Sequence, residues 1–293
     1  MPIVNQPMLT AMSKSFQAIF MEAFGVVVPD YPRIATTVPS STRETDYGWL
    51  GKFPMLREWI GDRVIQALKA GQYSIRNKSF EATVEVDRDD VEDDNIGVYK
   101  PLIEQLGRNA RLHPELLIFA LLKAGFATAC FDGQYFFDSD HPVGDASVGN
   151  TGGGSGTPWY LLCTKQALKP LLFQSRRQPE LVTQDRPDDE NAFMRKKYRY
   201  GVDYRGNVGY GLWQLAYGSK QTLDATYYAS ARAAMMSLTN EAGVPLGIVP
   251  DLLVVPPTLE ASATALLKVQ TLANGAGNPW FNTCDVLVSP WLA

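Results

Sequence analysis

Cysteine and histidine are scarce in this chain. Cys130, Cys163 and Cys284 are the 3 cysteines, and His113 and His141 the 2 histidines, of 293 residues. Three widely spaced thiols form neither a disulfide framework nor a zinc knuckle, and they fit a reducing compartment. With so few candidate bases, a Ser- or Cys-dependent triad has little to draw on. Long apolar runs are missing as well. The longest, Leu116 to Leu122, stops at Lys123, far short of the roughly 20 residues a membrane-spanning helix needs. The opening Met1-Pro2-Ile3-Val4-Asn5-Gln6 has no basic stretch leading into a hydrophobic core, so no secretory leader is expected and a cytosolic origin is the default. Positive charge is not in excess either. Lys and Arg number 27 against 31 Asp and Glu, net −4, which argues against a protein whose task is to grip phosphate backbones.

What is present describes a folded chain. Hydrophobic residues reach 45% and charged residues 20%, enough to fill the cores of about two ordinary domains and too apolar for disorder. Gly (24) and Pro (19) are plentiful, favouring turns and extended arms over a helical bundle. Leu9, Met12, Phe16, Ile19, Phe20 and Ala23 form one helical stripe within Met8 to Phe24. After Gly25, the spacing of Pro29, Pro32 and Pro39 excludes a helix and predicts an extended arm. Val26, Val27, Val28, Tyr31, Ile34 and Val38 make that arm too apolar for a solvated tail, so it should dock on a surface.

Farther on, Tyr73 to Lys78 and Phe80 to Val86 alternate apolar and polar residues, the signature of half-exposed strands. With the Gly71 turn they predict a long hairpin that needs a partner surface. Glu85 to Asp94 then holds seven carboxylates: Glu85, Asp87, Asp89, Asp90, Glu92, Asp93 and Asp94. Val98 to Leu112 reads as a helix, and a second, buried helix is expected from Pro114 to Gly125. Asp138 to Pro158 reads as loop, with the Gly-rich Thr151 to Gly156 as a flexible tract or domain junction. A strand at Trp159 to Thr164, a short helix to about Phe173 and a polar connector from Gln174 to Asn191 follow. Tyr198 to Tyr204 and Val208 to Tyr217 predict a Tyr-rich hairpin turning at Arg205-Gly206-Asn207. Thr222 is the expected cap of a helix reaching Ala242-Gly243. Strands at Leu252 to Val255 and Val286 to Val288 flank a helix from Thr258 to Gln270, so the last third is α/β or α+β.

Catalytic and cofactor signatures fail one by one. Counted from Asp87, a calcium loop would need Gly at Glu92 and a bidentate Glu at Val98. His113-Pro114-Glu115 has the H-x-E form of zinc deaminases without their P-C-x-x-C partner. His141 lies near Cys130, Asp138 and Asp140 in sequence, but the spacing matches no familiar metal site, and Asp140-His141-Pro142 reads as a turn. The Gly-rich tract lacks G-K-[ST], Ser155 is followed at the second position by Thr157, and Gly206, Gly209 and Gly211 fall in the wrong order for a dinucleotide fingerprint. No catalytic, cofactor or metal residue is assigned.

Longer motifs carry a resemblance. Tyr47-Gly48-Trp49-Leu50-Gly51, Arg57-Glu58-Trp59-Ile60-Gly61-Asp62-Arg63, Asn77 to Arg88 and Glu92-Asp93-Asp94 are similar to the major head subunit of Mu-like phages and prophages. Gly209 to Tyr217, Leu253-Val254-Val255-Pro256-Pro257 and Val288-Ser289-Pro290-Trp291-Leu292 extend the likeness to nearly the whole chain; Tyr135 to Pro158 and Gln174 to Asn191 carry little of it.

The resemblance implies an α+β, Hong-Kong-97-type capsid fold. Its parts would be an N-terminal arm at 1–46, an extended hairpin loop at 47–80, spine helix and peripheral domain at 81–190, and a mainly axial domain at 191–293 that returns to the peripheral domain. The spine would start near Val98, with His113-Pro114 as a break. Implied partners are further copies in hexamers and pentamers, with scaffold, portal and decoration proteins and packaged double-stranded DNA held without sequence-specific binding. The place implied is the virion, assembled in the bacterial cytoplasm, with no membrane and no cofactor. Lys69 and Lys78 lie in the hairpin, yet no motif here carries over the covalent cross-linking of some relatives. Expected assembly residues are Trp49, Arg57, Trp59, Arg63, Lys69, Arg76 and Lys78 on the hairpin and Asp87, Asp89, Asp90 and Asp94 in the acidic run; the run either meets basic residues such as Arg57, Arg63, Arg76 or Lys78 of an adjacent subunit or is simply solvated at a helix start. The rivals are a soluble carboxylate-dependent hydrolase and another virion protein, of tube or decoration type.

Overall fold

Asn5 starts the first helix: its Oδ1 accepts from Met8 N at 3.0 Å, a side-chain cap on an otherwise orphaned donor. In the computed structural model, which describes residues 4–48, 50, 73–93, 95–272 and 274–293, this helix α1 spans Gln6–Val26 and buries Leu9, Met12, Phe16 and Phe20. The arm beyond it is not free of helix. One turn, α2 (Tyr31–Ile34), carries Pro32 in its first turn, where a missing N–H is no loss. The chain then extends as β1 (Ala35–Pro39), parallel to Leu171–Ser175, so the arm is docked from Tyr31 onward, whereas Val26 and Val28, expected to dock with it, stay exposed. Next, β2 (Glu44–Asp46) pairs antiparallel with β3 (Ser74–Arg76), Thr45 facing Ile75. The strand β4 (Lys78–Asp87) leads into α3 (Arg88–Glu92), which Asp87 caps through Asp89 N at 3.1 Å.

The two helices expected on either side of His113-Pro114 are one: α4 runs without a break over Lys100–Ala124. Proline in a helix interior removes one hydrogen bond and costs ~3 kcal/mol. Burial on both sides of it outweighs that. Before Pro114, Ile103, Leu106 and Ala110 enter a core with α1, Val86, Val91, Tyr198 and Tyr200. After it, Ile118, Phe119 and Leu122 enter a second, larger core. The helix is the beam joining two hydrophobic centres.

Beyond α4, a small antiparallel pair, β5 (His141–Val143) and β6 (Ala146–Val148), precedes β7 (Thr151–Gly154). The Gly-rich tract is therefore an edge strand, pairing parallel with Gly218 and Lys220. The fully buried β8 (Trp159–Leu162) appears where expected. The short helix expected between Thr164 and Phe173 does not form. Instead β9 (Leu171–Gln184) occupies most of the polar connector. Its far half faces solvent on one side and therefore looked polar, and Pro179 sits where the pairing is irregular. After α5 (Glu190–Arg195), β10 (Lys197–Tyr210) runs as one strand of 14 residues, not a hairpin. Its burial alternates, with Tyr198, Tyr200, Val202 and Tyr204 inward. At Arg205-Gly206 the register slips in a bulge. A Cβ on Gly206 would lie 2.6 Å from Gln174 O, which is why glycine in a strand so often marks a bulge rather than a turn.

The remaining elements are β11 (Ala216–Lys220), α6 (Ala225–Met236), β12 (Leu252–Val255), α7 (Glu260–Leu267) and β13 (Asp285–Val288). Asp224, not Thr222, caps α6, accepting from Thr226 N and Tyr227 N at 2.9 Å. Both helices end short of their expected limits. One sheet has the order β1-β9-β10-β4 and the other β13-β12-β8-β11-β7. The fold is α+β.

Candidate assembly interface

The acidic run finds partners in its own chain. On β4, Glu85 stands opposite Arg199 of β10. Its Oε2 accepts from Lys197 Nζ at 2.9 Å, and its Oε1 from Arg199 Nε and Nη2 at 2.9 and 2.8 Å. Hydrogen bonds from Lys197 and then Arg199 hold this carboxyl below the usual range. Asp87 caps α3, Asp90 accepts from the Tyr99 hydroxyl, and Arg88 Nε pairs with Glu92 at 2.9 Å. Asp89 lies 3.6 Å from Lys196 Nζ, both side chains about two-thirds exposed. Lys196, Lys197 and Arg199 were not among the expected residues, because only strand pairing brings them beside β4.

Arg76 and Lys78 are exposed at the end of β3 and the start of β4, and among the described residues neither forms an ion pair. Trp49, Arg57, Trp59, Arg63, Lys69 and Asp94 lie outside the described residues. Beside the β2–β3 pair lies a network of buried polar groups. Tyr47 OH donates to Gln174 Oε1 at 2.8 Å. Gln174 Nε2 donates to Ile75 O at 3.0 Å and to Asn77 Oδ1 at 2.8 Å. Asn77 Nδ2 reaches Ser40 Oγ and Thr42 O, each at 2.9 Å. Burial raises the Tyr47 hydroxyl to about 12, so it stays a donor. A satisfied buried network of this kind specifies one geometry; Gln174, read as connector, is its centre.

At the far end of the β9–β10 pair, α5 leaves Phe193 82% and Met194 70% exposed, with Val182 of β9 also open. A further cluster joins Cys130, Asp132 and His141, buried beside Trp213. His141 and Cys130 do come together, but through Asp132 and not through Asp138 or Asp140. A groove of about 170 Å³ between β4, β10 and α4 is lined by Phe80, Leu106, Ala110 and Val202 together with Glu81, His113 and Tyr204, the imidazole hydrogen-bonded to the Tyr204 hydroxyl. Among the described residues no helix is long and apolar enough to cross a membrane.

A docked arm, the β2–β3 pair and a long helix joining two cores are the frame of a shell-forming protein of the tailed-phage capsid class. Comparison with known proteins agrees. The family profile described as "Mu-like prophage major head subunit gpT" matches residues 9–292. The chain is 43% identical over 284 residues to the major capsid protein of Escherichia phage Mu, covering 93% of each. It is 43% identical over 277 residues to the Mu-like prophage FluMu major head subunit of Haemophilus influenzae, covering 90% of each. Against a chain of the bacteriophage JBD30 procapsid the TM-score is 0.88 at 46% identity, over 98% of this chain and 100% of that one. Against the JBD30 capsid it is 0.78 at 38% identity, over the whole of both chains. The chain belongs to the family of Mu-like major head subunits. It is a structural protein of the virion shell, a Hong-Kong-97-type fold that assembles with many copies of itself, and not an enzyme.

Proposed function

We propose that this head subunit holds its shell together by clasping. In this reading residues 1–46 form the arm and 47–80 a ribbon that reaches over a neighbouring copy. Residues 81–190 form the spine and peripheral domain, and 191–293 the mainly axial domain. The observation that carries the reading is the β2–β3 pair, which makes the chain leave and return at one rigidly bonded root. Arg76 and Lys78 at that root, with Trp49, Arg57, Trp59, Arg63 and Lys69 beyond it, face the acidic edge of the neighbour at Asp87, Asp89, Asp90 and Asp94. Each exposed ion pair contributes only ~0–1 kcal/mol, but a subunit gripped at several points leaves only when all release together.

Hexamers and pentamers of this chain are the proposed units, with scaffold and portal proteins joining during assembly. The JBD30 capsid is decorated with minor capsid protein trimers, and an accessory protein of that kind is a further proposed partner. Packaged double-stranded DNA meets a wall of net charge −4 per chain, which would hold it without sequence-specific binding and let it leave.

Charge reversal tests the clasp. Arg76→Glu with Lys78→Glu, or Asp89→Lys with Asp94→Lys, is expected to lower the yield of closed shells seen by electron microscopy. Mixing the two reversed chains is expected to restore it. Unchanged assembly of both variants across salt concentrations would remove the pairing from the proposal.

A further inference from the structure

Three kinds of ligand atom converge at one point in the segment between α4 and β7, His141 at the start of β5. Cys130 Sγ, the Asp132 carboxylate and His141 lie within 4.8 Å of one another. The imidazole is fully buried and stacked on Trp213, ring centroids 4.0 Å apart. Its Nε2 lies 3.2 Å from Asn150 Oδ1. The Asn150 amide cannot be turned round. Its Nδ2 faces the carbonyls of Phe136, Trp213 and Ala216 at 2.8, 3.3 and 3.2 Å, and its Oδ1 accepts from Asp138 N at 2.9 Å. His141 Nε2 must therefore carry a hydrogen. A neutral ring then presents the Nδ1 lone pair, and Nδ1 lies 2.7 Å from Asp132 Oδ2. A lone pair and a carboxylate oxygen at that distance need a cation between them. Donating the second ring N–H to a fixed carbonyl oxygen is how metal-ligating histidines are oriented. Cys130 Sγ, 3.1 Å from the other Asp132 oxygen, adds a sulfur ligand.

We propose that Cys130, Asp132 and His141 bind a zinc ion, with a water in the fourth position. A sulfur, a nitrogen and a carboxylate oxygen suit Zn²⁺, whereas Mg²⁺ and Ca²⁺ prefer oxygen alone. Asp132, its side chain 10% exposed, marks the way in. Without metal, protons fill the gaps: Nδ1–H donates to Asp132 Oδ2 and the Cys130 thiol to Oδ1. Thiolate forms as the metal replaces the Cys130 proton. Binding breaks one S–H and one N–H bond, forms Zn–S and Zn–N bonds, and releases about two protons per ion. The ligand atoms spread from hydrogen-bonding separations to those of a tetrahedral ion, roughly 3.3 Å apart for bonds of about 2.0–2.3 Å. Such an ion pins the loop beneath Trp213 against the five-stranded sheet.

The test uses the purified full chain, stripped with a chelator and titrated first with Co²⁺ and then with Zn²⁺. One cobalt per chain with thiolate-to-metal charge-transfer absorption, displacement by zinc and about two protons released per ion are expected. Cys130→Ser is expected to abolish the charge-transfer band and Cys163→Ser to leave it intact. Asp132→Asn, which keeps the size and shape of the side chain, is expected to weaken zinc at least about tenfold. Absence of the band and of stoichiometric zinc in the unaltered chain would overturn the site and leave protons as the bridging cations.

Discussion

Trp291 Nε1 donates to Glu115 Oε1 at 3.1 Å, tying the C-terminal turn to the middle of α4. The other oxygen of Glu115 accepts from Asp30 N at 2.8 Å. One buried carboxylate, directly after Pro114, thus joins the docked arm, the spine helix and the last turn of the chain. Removing it strands an amide and an indole donor together. Glu115→Ala is expected to cost about 2–4 kcal/mol, measured as a lowered urea midpoint of the unassembled subunit.

The same residue sets a pH dependence. Burial, chiefly, raises the Glu115 carboxyl above its ordinary value, against the opposing hydrogen bonds from Asp30 and Trp291. A carboxyl raised on folding binds its proton more readily in the folded state. Its contribution to stability is full below the unfolded value and declines as pH rises through the folded one. The stability of the unaltered chain relative to Glu115→Gln should therefore rise as pH falls through the carboxylate range. Melting temperatures of both proteins across that range would show it; a constant difference would refute it.

Two glycines in the helices predict opposite outcomes for one substitution. A Cβ on Gly107 of α4 would meet Phe20 O at 2.6 Å and Ala23 Cβ at 3.2 Å, so α1 and α4 approach through that missing side chain. Gly107→Ala should force them apart and cost about 1–3 kcal/mol. At Gly25, within α1, nothing lies within 4 Å of the added carbon. Gly25→Ala should stabilise by about 0.5–1 kcal/mol. Chemical denaturation of the two variants gives both signs in one experiment.

Glu85 predicts a small and salt-sensitive effect. Its partners Lys197 and Arg199 are partly exposed, and exposed pairs are weak and screened. Glu85→Gln should leave subunit stability nearly unchanged at high salt. A loss that persists there would mean that the pairing is structural rather than electrostatic.

Several elements were legible because their signal is local. The stripe of α1, the buried β8 and β12, and the docking of the arm follow from residue spacing and apolar content over a few turns. Other elements were misread because the deciding contact is distant. Gly206 looks like a turn until Gln174 is known to lie across from it; then it is a bulge in a continuous strand. Gln174 itself has the look of connector, although it joins Tyr47 to Asn77 beside the β2–β3 pair.

By itself the sequence determined the kind of chain this is: apolar enough to fold, lacking any catalytic constellation, and bearing motifs of the Mu-like head subunits along its length. Periodicity and composition are properties of neighbouring residues, so they can be read without coordinates. Only the tertiary structure decided that α4 continues through Pro114, that β10 sets Lys197 and Arg199 beside Glu85, and that Asp132 stands between Cys130 and His141. Each of those depends on which surfaces meet when long-range strands and helices pack. There, burial on both sides of a residue outweighs its local preference.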